Sequence, residues 1–129
     1  MINQEQKSAE AERGVATTLI EAIRQGIYEE MTRDETVFVI GEDIGAYGGA
    51  FKLTEGFIDE FGTERKIDTP ISEAALVGAA CGAALLGMKP VAEFQFIDFI
   101  STGFDMLTNY AAKSRFRGCG SIQAVFRGP

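Results

Sequence analysis

Apolar residues recur every four positions from Val15 through Leu19, Ile23 and Ile27 to Met31, while Glu21, Arg24 and Glu29 fall off that line. Such a period predicts an amphipathic helix over 15–31. The run Val37-Phe38-Val39-Ile40 holds no polar residue and is too short for a helix, so it predicts a buried parallel strand ending at Gly41. From Gly41 to Ala50 four glycines fall within ten residues, and the pattern becomes that of an irregular loop. A loop at the carboxyl end of a strand is where open α/β sheets bind ligands.

A short helix is predicted from Glu55 to Phe61, stopped by Gly62, and Pro70 then forces an extended entry into the next element. Ser72 is placed to cap it. From Glu73 to Leu86 nearly every residue is small or apolar, which predicts a helix buried on most sides, with close backbone approach, ended by Gly87. A second buried strand is expected from Pro90 to Phe94. Met106, Leu107, Tyr110 and Ala111 give helical spacing within 98–113, and a third strand is expected from Ile122 to Phe126. Helices alternating with short apolar strands predict an α/β fold, a parallel sheet with helices on both faces. Residues 1–12, rich in Glu, Gln and Lys, read as a flexible lead-in before one domain over 13–129.

Composition narrows the chemistry. With 129 residues and 46% hydrophobic content the chain can build one real core, and it has no apolar run of membrane-spanning length. A net charge of −7 argues against nucleic acid as a partner, and the polar N-terminus favours a cytoplasmic location. A mitochondrial matrix location is kept open for a chain whose transit segment has been removed. Cys81 and Cys119 form no CxxC pair and are expected as reduced thiols. Histidine is absent, so chemistry must rest on carboxylates or on a borrowed cofactor.

Three features could carry it. Glu73 opens an otherwise apolar helix. Its plain reading is a favourable charge against the helix dipole, worth about 0.3–1 kcal/mol, and its sharper one a desolvated carboxyl able to share a proton. Glu42 and Asp43 in the glycine-rich loop are either solvated loop acids or a proton relay, and the loop matches neither the GxGxxG nor the Walker phosphate pattern. In Glu93-Phe94-Gln95-Phe96-Ile97-Asp98-Phe99 the rings either fill a core or stack on a planar ligand.

Phe38-Val39-Ile40-Gly41-Glu42-Asp43, Asp68-Thr69-Pro70-Ile71-Ser72-Glu73, Glu93-Phe94-Gln95-Phe96, Ala111-Ala112-Lys113 and Val125-Phe126-Arg127-Gly128-Pro129, in that order, closely resemble the beta subunit of thiamine-diphosphate-dependent 2-oxoacid dehydrogenases. That family includes the pyruvate, branched-chain 2-oxoacid and acetoin enzymes. The resemblance implies a transketolase-like pyrimidine-binding domain, in which Glu73 matches the catalytic glutamate that hydrogen-bonds a ring nitrogen of the cofactor. Phe99 matches the ring that stacks on the pyrimidine, Gln95 and Ile71 match pocket positions, and Glu42 matches an acid on the path linking paired sites. It further implies an alpha subunit that holds the diphosphate through magnesium, a heterotetramer of two alpha and two beta subunits, a 2-oxoacid substrate, and acyl transfer to a lipoyl acyltransferase component. A potassium ion held partly by the backbone carbonyl of Ala124 belongs to the same picture. Family members add a second domain and a histidine beyond the Arg-Gly-Pro motif, so this chain reads as truncated, and the isolated chain as inactive. The competing reading is a non-catalytic α/β binding or assembly module.

Overall fold

The computed structural model describes residues 16–129. The lead-in 1–12 and Val15, the first position of the predicted helical stripe, lie outside the described residues. Strand β1 (Val37–Gly41) is buried throughout, and its alternation sends side chains to two opposite faces. Phe38 and Ile40 join Leu76, Val77, Ala80 and Cys81 of one helix in a first core. Val37 and Val39 join Met31, Ile44 and Phe57 in a second core on the other face. One strand therefore nucleates both layers. All four strands run parallel in the order β2-β1-β3-β4, with β2 at Lys66–Asp68, β3 at Lys89–Glu93 and β4 at Val125–Arg127. The expected architecture, a parallel sheet covered on both faces, is the one observed.

Helix α1 (Leu19–Arg33) starts later than the apolar spacing predicts, because Thr18 and Glu21 form a capping box. Thr18 Oγ1 accepts from the Glu21 amide at 3.2 Å, and Glu21 Oε2 accepts from the Thr18 amide at 2.8 Å. Leu19, placed on the core stripe by its spacing, is exposed, whereas Ile27, Tyr28 and Met31 make the contact with the second core. Helix α2 (Phe57–Phe61) stops at Gly62 as expected, the Gly62 amide donating to Ile58 O.

Helix α3 (Glu73–Leu85) departs from expectation in two ways. Only one face is buried, through Leu76, Val77, Ala80, Cys81 and Ala84, while Ala74, Ala75 and Ala79 are exposed. Ser72 stands at the cap position, yet its side chain makes no capping bond. Its backbone amide turns instead to Glu42, which no local pattern could announce. The helical spacing of 98–113 becomes a 3₁₀ segment over Ile97–Gly103 and a π-helical segment over Met106–Ala111. Gly103 explains part of this: a side chain there would lie 3.0 Å from Val77 and 3.1 Å from the Glu73 carbonyl, so the chain is pressed against α3 at that point. Met106, Leu107, Tyr110 and Ala111 still pack on the first core as their spacing requires.

Strand β2 has a single apolar residue and escapes sequence patterning. It exists because β1 pairs with it, Val39 donating to Arg65 O at 2.9 Å and Thr69 to Gly41 O at 2.9 Å. Strand β4 begins three residues later than expected; Ile122 packs on the first core ahead of it. Both cysteines are free, and burial pushes the Cys81 thiol up. No helix among the described residues is long and apolar enough to cross a membrane.

Candidate functional site

The parallel order gathers the carboxyl ends of the strands, Gly41, Asp68, Glu93 and Arg127, at one edge of the sheet. The loops leaving that edge carry most of the predicted site residues. Directly after β1, Glu42 is buried, and its Oε1 accepts from the Ser72 amide at 3.3 Å. Burial pushes the Glu42 carboxyl up and the nearby Glu73 carboxylate pushes the same way, against the pull of the Ser72 N–H; Asp43 adds a further push upward. Two carboxyl groups from distant stretches of sequence are thus brought together. The Glu73 charge adds to the cost of ionising Glu42.

Glu73 itself is half-buried at the first turn of α3, and Gly103 presses on its backbone carbonyl. That contact lays the segment Ile97–Gly103 across the start of the helix, with Phe99 left 46% exposed. Ile71, between β2 and α3, is 83% exposed. The hydroxyl of Thr69, in the same turn, is buried with no hydrogen-bond partner in the described residues. A buried hydroxyl of this kind is rare unless a polar group meets it.

Gln95 lies on the same edge, one residue beyond Phe94. With Tyr47, Ala50, Phe51, Lys52 and Phe96 it borders an open cavity of about 370 Å³. The glycine-rich loop forms the opposite wall. Gly49 sits there at φ 74°, a left-handed conformation that suits glycine. Asp43 also has a positive φ, 53°. Asp68 Oδ1 accepts from the Gly45 amide, which ties the loop to β2.

Ala124 is not brought to this place. It precedes β4 and borders a separate cavity of about 350 Å³ at the amino ends of the strands, beside Glu30, Val37 and Lys89. Among the described residues no group of three or more His, Cys, Asp or Glu is arranged to hold a metal.

Two buried charges went unassigned from the sequence. Glu93, at the end of β3, is fully buried and paired with Arg127 at the end of β4. Burial pushes its carboxyl up, opposed by Arg127. The signal was present: an acid closing a strand whose interior, Pro90 to Ala92, is apolar needs a partner. Lys66 is also buried, and its ammonium donates to Thr54 O. Burial pulls that ammonium down, with Asp68 pushing back. Nothing local in Arg65-Lys66-Ile67 distinguishes it from a surface lysine.

Residues 15–125 match the family described as transketolase, pyrimidine binding domain. The chain is 46% identical over 114 residues to the pyruvate dehydrogenase E1 component subunit beta of Rickettsia conorii, covering 87% of this chain and 35% of that protein. It is 50% identical over 112 residues to the 2-oxoisovalerate dehydrogenase subunit beta of Bacillus subtilis, covering 85% and 34%. For the mitochondrial pyruvate dehydrogenase E1 component subunit beta of Saccharomyces cerevisiae the identity is 44% over 114 residues, covering 87% and 31%. The chain spans about a third of the length of the curated relatives it matches.

Proposed function

Since the chain belongs to the transketolase pyrimidine-binding family, we propose that it forms the beta-subunit half-site of a thiamine-diphosphate-dependent 2-oxoacid dehydrogenase. The observation that carries this reading is the half-buried Glu73 at the first turn of α3, with the buried Glu42 carboxyl near enough to feel its charge, at the carboxyl edge of a parallel sheet.

The residues fit one end of the cofactor and not the other. A flat heterocycle with ring nitrogens suits a half-buried carboxylate, an unshielded phenyl ring and the orphaned Thr69 hydroxyl. A magnesium diphosphate does not suit this chain. Glu42, Asp43, Asp68 and Glu73 crowd the edge with negative charge, and the described residues hold no metal cluster. An alpha subunit is therefore assigned the diphosphate and its magnesium, in a tetramer of two alpha and two beta subunits.

In this half-site Glu73 shares a proton with a pyrimidine ring nitrogen, and Glu42, already inclined to stay protonated, adds no second negative charge nearby. Phe99 covers one face of the ring. Ile71 and Gln95 border the place where a substrate meets it. When bound, the cofactor supplies the carbanion chemistry that releases carbon dioxide from a 2-oxoacid, and the acyl unit then passes to a lipoyl acyltransferase component.

The test is single-turnover decarboxylation of pyruvate and 2-oxoisovalerate by the assembled alpha–beta complex carrying Glu73→Gln. The amide cannot share a carboxyl proton, so decarboxylation is expected to fall by at least 100-fold, on the order of a lost general acid–base group. Assembly, followed by gel filtration, is expected to persist. A rate within a few-fold of the parent would sink the role given to Glu73.

A further inference from the structure

The Glu93 carboxylate has both oxygens engaged. One oxygen, Oε2, is paired with Arg127, and the other, Oε1, accepts from Gln95 Nε2 at 3.3 Å. Glu93 is fully buried, so neither oxygen has water as an alternative. The glycine-rich loop closes over it, because a side chain at Gly49 would lie 3.2 Å from Glu93 Oε1 and 3.2 Å from Thr54 Oγ1. Three separate stretches of chain thus meet on one carboxylate: the loop after β1, the residue that borders the cavity, and the end of β4.

A carboxylate can only accept, so the amide facing it must present its nitrogen. The Gln95 carbonyl oxygen is thereby left for other partners. We propose that Glu93 is a positioning residue: it orients the Gln95 amide so that an acceptor oxygen faces the cavity beside Lys52 and Phe96, selecting a ligand with a hydroxyl or amine donor there. This deepens the functional reading above and rests on it for the identity of the ligand, but not for the orientation of Gln95. The carboxylate group of a 2-oxoacid, which can only accept, finds no partner at Gln95 and must be held elsewhere.

The arrangement predicts an inversion on substitution. Arg127 offers only donors, so in Glu93→Gln the new amide must turn its oxygen to Arg127 and its nitrogen to Gln95. Gln95 then flips, and its own nitrogen enters the cavity. Pairing Glu93→Gln with Gln95→Glu returns an acceptor to the cavity, because the new carboxylate at position 95 accepts from the new amide at position 93. Glu93→Asp shortens the side chain, which takes the carboxylate out of reach of Gln95 without changing its charge.

The experiment measures solvent exchange of the Gln95 side-chain amide by NMR in the labelled full chain. In the parent, one Gln95 N–H is expected to exchange roughly ten-fold more slowly than in Glu93→Gln or Glu93→Asp, whichever of the two keeps the parent's backbone amide spectrum. Unchanged exchange in a folded variant, or no slowed proton in the parent, overturns the proposal and leaves Glu93 a plain ion-pair partner. A second arm measures thiamine diphosphate affinity and KM for pyruvate in the assembled complex. Glu93→Gln is expected to weaken binding of thiamine diphosphate, whose amino group can donate, about ten-fold without raising the KM for pyruvate, which has no donor, and the double variant is expected to recover the affinity. A double variant as weak as Glu93→Gln would overturn the acceptor assignment. A parent complex that does not respond to thiamine diphosphate would instead defeat the proposed function, and the exchange result would still decide the role of Glu93.

Discussion

Phe57→Ala tests whether the second core, which fixes α1 and α2 beneath the glycine-rich loop, depends on one ring. Phe57 is 1% exposed and stands edge-on to Tyr28 and Phe61, each with its centroid 5.7 Å away. The Arg24 guanidinium lies 4.7 Å from the same ring centroid, and the Lys66 ammonium 5.8 Å. Truncation removes the buried ring and leaves a cavity that these neighbours, tied to other elements, cannot close. A cost of about 3–5 kcal/mol is expected. Phe61 belongs to the same trio but is only half-buried, so Phe61→Ala should cost roughly half as much. With no tryptophan in the chain, far-UV circular dichroism is the suitable probe of urea unfolding. At an m value of about 2 kcal/mol per molar, the Phe57→Ala midpoint should fall by roughly 2 M. Equal midpoints for the two variants, or a Phe57→Ala cost below about 1.5 kcal/mol, would refute the claim that burial of this ring holds the layer.

Three further outcomes are expected. Because the folded-state pKa of Glu42 is raised by burial and by Glu73, its contribution to stability is complete below the ordinary carboxylate value and is lost as pH rises through the raised one. Glu42→Gln keeps an acceptor for Ser72 and removes that loss, so urea midpoints of variant and parent should converge near about pH 4 and separate in the variant's favour towards neutrality; a separation independent of pH would contradict the assignment. Arg65 donates to the carbonyls of Met31 at 2.7 Å, Asp34 at 2.9 Å and Val37 at 2.6 Å, so Arg65→Met, which retains the apolar stem, should cost about 2–3 kcal/mol in the same urea assay. Thr18→Ala removes half of the capping box and should cost about 1 kcal/mol, with added fraying visible as faster amide exchange in the first turn of α1; exchange identical to the parent would show that the cap does not hold the helix start.

The α/β class, the two-sided burial of β1 and the stop at Gly62 were legible in the sequence, because each depends on the period of apolar residues or on a single glycine close by. Glu42, Glu73, Gln95 and Phe99 were legible as candidates through their motifs. Their mutual placement was not. Strand β2 has one apolar residue and forms only because β1 offers it a ladder, so no local pattern could reveal it. The distortion of 97–111 into 3₁₀ and π turns owes part of its cause to the contact of Gly103 with α3, a long-range constraint that overrides helical spacing. The turn of Ser72 towards Glu42, the burial of Lys66 and the pairing of Glu93 with Arg127 likewise join residues about 30 or more positions apart, or hide a charge behind a neighbouring strand. Sequence by itself determined which segments would be apolar and where the strands of a parallel sheet would end. Tertiary structure alone decided which charges meet at that edge, because the energy of a buried charge depends on partners that only the folded sheet brings within hydrogen-bond reach.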